Sequence, residues 1–98
     1  MSSRTVTARL VLPDQLRELA GGCRALELEG SHATVRDVLA ALRVEHGAVH
    51  DRIVTERGEV RTHVNVFVGR EDIRHTGGLD TPVADGAEIF VIPSVSGG

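Results

Sequence analysis

Thr34-Val35-Arg36-Asp37-Val38-Leu39-Ala40-Ala41-Leu42-Arg43-Val44-Glu45 is the stretch on which the reading of this chain turns. Val35, Val38, Leu39 and Leu42 recur at i, i+3, i+4 and i+7, which lines one stripe of a helix with apolar side chains. Thr34 can cap the first turn. Asp37, three residues on, is a weaker relative of the Glu or Gln of a capping box. Gly47 suits a left-handed stop after the helix. A helix with one apolar stripe needs a surface to bury it against, and strand-like sequence lies on both sides.

Upstream, Thr5 to Leu12 alternates, with Val6, Ala8, Leu10 and Leu12 on one face and Thr5, Thr7 and Arg9 on the other. That period of two predicts a half-buried strand. Pro13-Asp14 ends it, Leu16, Leu19 and Ala20 suggest a short helical turn, and Gly21-Gly22 closes that turn. Ala25 to Glu29 alternates again, with Leu26 and Leu28 inward, and predicts a second strand antiparallel to the first. Downstream, Val49, Ile53 and Val54 suggest another short turn, and Thr55 to Glu59 reads as a surface loop. Val64-Asn65-Val66-Phe67-Val68 is nearly all apolar and predicts a central strand. Gly69 to Asp72 turns, Ile73 begins a short edge segment, and Gly77-Gly78 breaks it. Asp85-Gly86 signals a tight turn before a last apolar strand, Ala87 to Ile92, which Pro93 stops. Strand, strand, helix, strand, short strand, strand, with one main helix over one face of a mixed sheet, is the α+β arrangement called the β-grasp or ubiquitin-like fold. Parallel pairing of the first and last long strands at its centre is the matching topology. Residues 1–93 form the domain in this reading, and residues 94–98 a flexible C-terminal Gly-Gly tail.

Ninety-eight residues suit one domain. The core must come from Val, Leu, Ile and Ala, because the chain has two Phe and no Trp or Tyr. A net charge of −3 argues against nucleic acid as the main ligand, since phosphate binding needs a basic face. Every positive side chain is Arg and none is Lys, so no side-chain amine offers itself for Schiff-base or isopeptide chemistry. Cys23 stands alone and cannot form an internal disulfide. No apolar run of transmembrane length and no signal peptide is read, so a cytoplasmic protein, monomeric when free, is the expectation.

The residues after Pro93 carry the chemistry. Ser94-Val95-Ser96-Gly97-Gly98 offers small or β-branched side chains and then bare backbone. Five extended residues reach at most about 16–18 Å, so the tip could enter a narrow channel while the body stays outside. Glycine lets other atoms approach the backbone closely. A terminal carboxylate is ionised at neutral pH and is a poor electrophile. To accept sulfur it must first become a mixed anhydride, most simply an acyl adenylate made with ATP. The chain has no phosphate-binding loop, so another protein must do that. The product would be a thiocarboxylate on Gly98, with Val95, Ser96 and Gly97 inserted in the partner. A frayed terminus is the plainer reading of a Gly-Gly end taken alone.

Val64 to Val68, Glu71-Asp72-Ile73-Arg74, Gly78-Leu79-Asp80-Thr81, Ala84-Asp85-Gly86 and Ile92 to Gly98 together resemble the MoaD/ThiS family of ubiquitin-like sulfur carriers, and within it the actinobacterial CysO type. The resemblance implies adenylation of Gly98 by an E1-like MoeB/ThiF-type adenylyltransferase, then transfer of sulfur to a downstream synthase making cysteine or a sulfur-containing metabolite. It implies a co-substrate rather than an enzyme, with no cofactor or metal bound by the chain and ATP used by the partner. Ser94 and Ser96 stand where Ala is often found, and both are compact. A molybdopterin synthase small subunit, a modifier conjugated through Gly98 and a plain interaction domain are the alternatives.

Other candidates have blander readings. His46 and His50 have the i, i+4 spacing of a helical metal pair but read as surface histidines at a helix end. His32, His63 and His75 are scattered. Cys23 reads as buried and inert. Asp72, Arg74 and Asp80 form a polar cluster or merely a solvated turn. Val11 and Phe90 could dock a partner from the outer sheet face, although core packing is the stronger expectation.

Overall fold

A computed structural model describes residues 5–93 of the chain. Five strands, β1 (Val6–Val11), β2 (Ala25–Gly30), β3 (Val64–Val68), β4 (Glu71–Asp72) and β5 (Glu88–Pro93), form one sheet in the order β2-β1-β5-β3-β4. β1 and β5 run parallel, and the other three pairings are antiparallel. This is the β-grasp arrangement. The turn before β5 secures the parallel pair: Gly86 takes φ +83°, its N–H donates to the Thr7 carbonyl at 2.8 Å, and Asp85 Oδ1 accepts from the Thr7 N–H at 2.9 Å.

Three helices, α1 (Asp14–Arg17), α2 (Val35–Glu45) and α3 (Gly47–Ile53), accompany the sheet. Val35, Val38, Leu39 and Leu42 of α2 are all buried, as their spacing predicts. Aliphatic side chains of this size contribute roughly 1.5–3 kcal/mol each when fully buried. Opposite them lie Ala8 and Leu10 of β1, Leu28 of β2, Val66 of β3 and Ile89 of β5, all buried. Thr34 and Asp37 do form a capping box. The start of α2 is also tied to the segment before β5, through Val35 N–H to the Thr81 carbonyl and Val83 N–H to the Ala33 carbonyl, both at 3.0 Å.

Several local expectations are corrected. Gly47 is not a left-handed stop: His46, at φ −142° and ψ 64°, breaks the helix, and Gly47 opens α3. The short turn around Val49 and Ile53 is a seven-residue helix that buries both at i, i+4 spacing. The edge strand is Glu71–Asp72, and Ile73 instead starts a 3-10 turn that buries its side chain. β3 is flanked on both sides, but by only two residues of β4. Only Val64 and Val66 are buried along it, because the helices cover one face of the sheet alone. Leu16 and Ala20 point inward, whereas Leu19 is exposed. Pro93 is the last residue of β5, paired with Val64.

Candidate functional site

The expectation from the sequence puts the chemistry on Gly98, approached through Val95, Ser96 and Gly97; all four lie outside the described residues. The described residues define the platform from which that segment departs. β5 is the central strand, held by β1 on one side and β3 on the other, and its last pair is Pro93 with Val64. Arg74 steadies this end of the sheet, its Nη2 donating to the Val64 carbonyl at 3.3 Å. Asp72 Oδ1 accepts from the Arg74 N–H at 2.9 Å, and Asp80 pairs with Arg36 at 3.2 Å. Asp72, Arg74 and Asp80 are therefore not one cluster. The first two shape a turn and the third faces a different element.

On the side of the sheet away from the helices, the strand registers bring Ala25, Val11, Phe90 and Phe67 into one row. Each is half-buried, so core packing does not account for Val11 and Phe90. Ile92 extends the apolar surface toward Pro93 and is 45% exposed. Arg9 and Glu88, a loose pair at 3.9 Å, border the row on the opposite side. An apolar stripe thus runs along β5 and stops where residues 94–98 begin. Sequence alternation carries this signal, because Phe90 and Ile92 fall between the inward Ile89 and Val91.

Other sequence candidates resolve individually. Cys23 is exposed, contrary to the expectation of burial. Gly21 and Gly22, both at positive φ, turn the chain just before it in a run of exposed residues. His46 is the hinge between α2 and α3, and His50 Nδ1 contacts Asp51 at 3.2 Å. Among the described residues no group of three or more His, Cys, Asp or Glu side chains could hold a metal. His32, with no role legible in the sequence, is buried, and its Nε2 lies 3.2 Å from the Leu28 carbonyl. A carbonyl only accepts, so this nitrogen carries the proton. No helix among the described residues is long and apolar enough to cross a membrane.

The ThiS family model matches residues 10–98, from near the end of β1 through the Gly-Gly end. This chain belongs to the ThiS family. Sulfur carrier protein CysO of Mycobacterium tuberculosis is 32% identical over 89 residues, which cover 89% of this chain and 94% of that protein. Small archaeal modifier protein 3 of Haloferax volcanii is 41% identical over 66 residues, 67% of this chain and 71% of that protein. Among solved structures, a chain of the Amycolatopsis orientalis BexX/CysO complex superposes with a TM-score of 0.81 at 33% identity, covering 93% of this ThiS-family chain and 99% of that one.

Proposed function

We propose that this chain is a sulfur carrier that works through the carboxyl of Gly98. The observation that carries the proposal is a family match and a CysO likeness that span nearly the whole domain. An E1-like MoeB/ThiF-type adenylyltransferase supplies the activation. A Gly98 carboxylate oxygen attacks the α-phosphorus of ATP, and pyrophosphate leaves. A sulfur nucleophile then attacks the acyl carbon, AMP leaves, and a thiocarboxylate remains. The chain is thus a recyclable co-substrate, and a downstream synthase accepts the sulfur. The Val11, Phe90, Phe67 and Ile92 surface suits docking of the adenylyltransferase, because it shares β5 with the departing tail and so fixes where that tail starts.

The test incubates the chain with an E1-like enzyme, ATP and sulfide. Intact mass should rise by the difference between one sulfur and one oxygen, and the change should map to the C-terminal peptide. Sulfide cannot turn the exposed Cys23 thiol into a persulfide without an oxidant, so under reducing conditions an unchanged C-terminal peptide would overturn the proposal. Deleting Gly98 should abolish loading, since the Gly97 carboxyl then stops about 3.3–3.6 Å short. A misplacement of even ~1 Å can cost on the order of a hundredfold in rate. The likeness to small archaeal modifier protein 3 favours one second reading, conjugation of Gly98 to amines of other proteins. Gly98-linked isopeptides in digests of native extract would support it.

A further inference from the structure

The helix layer carries a groove remote from the open sheet face. It encloses about 600 Å³ between α2, α3 and the loop at Gly58. Its α2 wall is Arg36, Ala40, Arg43 and Val44, a second stripe beside the one facing the core, together with Leu39 of that core-facing stripe. Leu79 closes the opposite side. Two features set it apart. Val44 is 85% exposed, an aliphatic side chain that the fold itself does not use. The lining also holds two arginines and a histidine but no carboxylate, in a chain whose acidic residues outnumber its basic ones. The nearest carboxylates flank it: Asp80 beside Arg36, Asp51 beside His50, and Glu56 where the groove continues past Arg43.

The two arginines differ in state. Arg36 shares its charge with Asp80 at 3.2 Å. Arg43 makes no ion pair among the described residues. They stand seven residues apart on α2, about 10.5 Å along the axis at 1.5 Å per residue. Ala40 lies between them, and Val44 sits one residue beyond Arg43. An occupant that fits has two carboxylates at that separation with aliphatic side chains on the same face, which an acidic amphipathic helix provides in two turns. We propose that this groove is a second docking site, taking an acidic amphipathic segment of a partner protein. Its place on the helix layer leaves the sheet face free, so the two surfaces can be occupied together. The proposal does not depend on the sulfur-carrier reading.

The experiment titrates the full ¹⁵N-labelled chain with a synthetic helical peptide bearing two Glu residues seven apart and Leu residues on the same face. Amide shifts should concentrate at Ala40, Arg43, Val44, Gly58 and Leu79 and should weaken in high salt. Arg43→Glu should weaken binding about tenfold or more, as expected for removing and reversing a central charge. Asp80→Asn should tighten it by about two- to threefold, because an exposed ion pair competes only modestly for Arg36. Both residues are exposed, and unchanged melting curves will show that both variants fold. No shifts at millimolar peptide, equal binding by the Glu→Gln peptide, or shifts centred on Phe67 and Phe90 would each overturn the proposal. A single-stranded oligonucleotide that moves the same amides more strongly would also overturn it, by assigning the groove to nucleic acid.

Discussion

Asp37 shows how one side chain sets the start of α2. Its Oδ2 accepts from the backbone N–H of Ala33 at 2.8 Å and of Thr34 at 3.2 Å. These two bonds, the Ala33 bond foremost, hold its carboxyl below the ordinary value of 3.8. A depressed carboxyl stabilises the fold fully above its unfolded pKa and loses that contribution as pH falls through the lower folded value. Asp37→Ala should therefore cost about 1 kcal/mol at neutral pH, a typical loss for a helix cap. Denaturant melts of both proteins should converge well below pH 3.8; an unchanged gap in acid would mean that the carboxylate is not the source. Gly30 is constrained differently. A Cβ there would come within 2.9 Å of the buried His32 ring. Gly30→Ala should push the ring off the Leu28 carbonyl and cost about 1–3 kcal/mol, the usual range for overpacking. Adding His32→Ala should cost less than the sum of the two single changes, since both act on one contact.

Helix α2 separates folding from recognition within a single turn. Leu42 is fully buried and Val44 is almost fully exposed. Leu42→Ala should cost about 2–5 kcal/mol, while Val44→Ala should stay within about 0.5 kcal/mol. Equal melting shifts for the two would mean that the groove at Val44 is filled in solution. β5 makes a similar division. Its inward Ile89 and Val91 hold the sheet to the helices, and its outward Phe90 and Ile92 face away. Ile92→Ser should leave the melt nearly unchanged and slow adenylate formation at Gly98, by about tenfold if the side chain is a central docking contact. Normal loading by this variant would remove the sheet face as the docking surface.

The molecule as a whole depends on a pairing between its two ends. β1 and β5 meet in parallel at Leu10 and Ile89, and β5 also carries β3, so it links both halves of the sheet. A chain cut before Glu88 should not fold, since β1–β2 and β3–β4 would lose the strand that joins them. A chain cut after Pro93 should melt within a degree or two of the full protein, as expected when a terminal segment contributes little buried surface. Circular-dichroism melts of the two truncations check this. A large loss of stability from the shorter cut would place residues 94–98 in the fold rather than in the chemistry alone.

Periodicity in the sequence was enough for the four longer strands, the stripe on α2, its capping box and the mixed α+β class, because each depends on local spacing and burial of one face. The parallel central pair was only a topology guess from element order, since no local pattern specifies which strands meet, and the structure decided it. Tertiary structure decided the rest. His46 rather than Gly47 breaks the helix because α3 must turn back to bury Val49 and Ile53. Ile73 leaves the sheet because its side chain joins the core. The arginine groove depends on α2, the Gly58 loop and Leu79 being brought together from separate parts of the chain, while the contact of His32 with Gly30 and the exposure of Cys23 depend on local turns whose side-chain placement no periodicity specifies. The candidate chemistry divides in the same way. Gly97 and Gly98 are legible as bare backbone next to a carboxyl, whereas the stripe of Val11, Phe90 and Phe67 exists only once strand register aligns three separate segments.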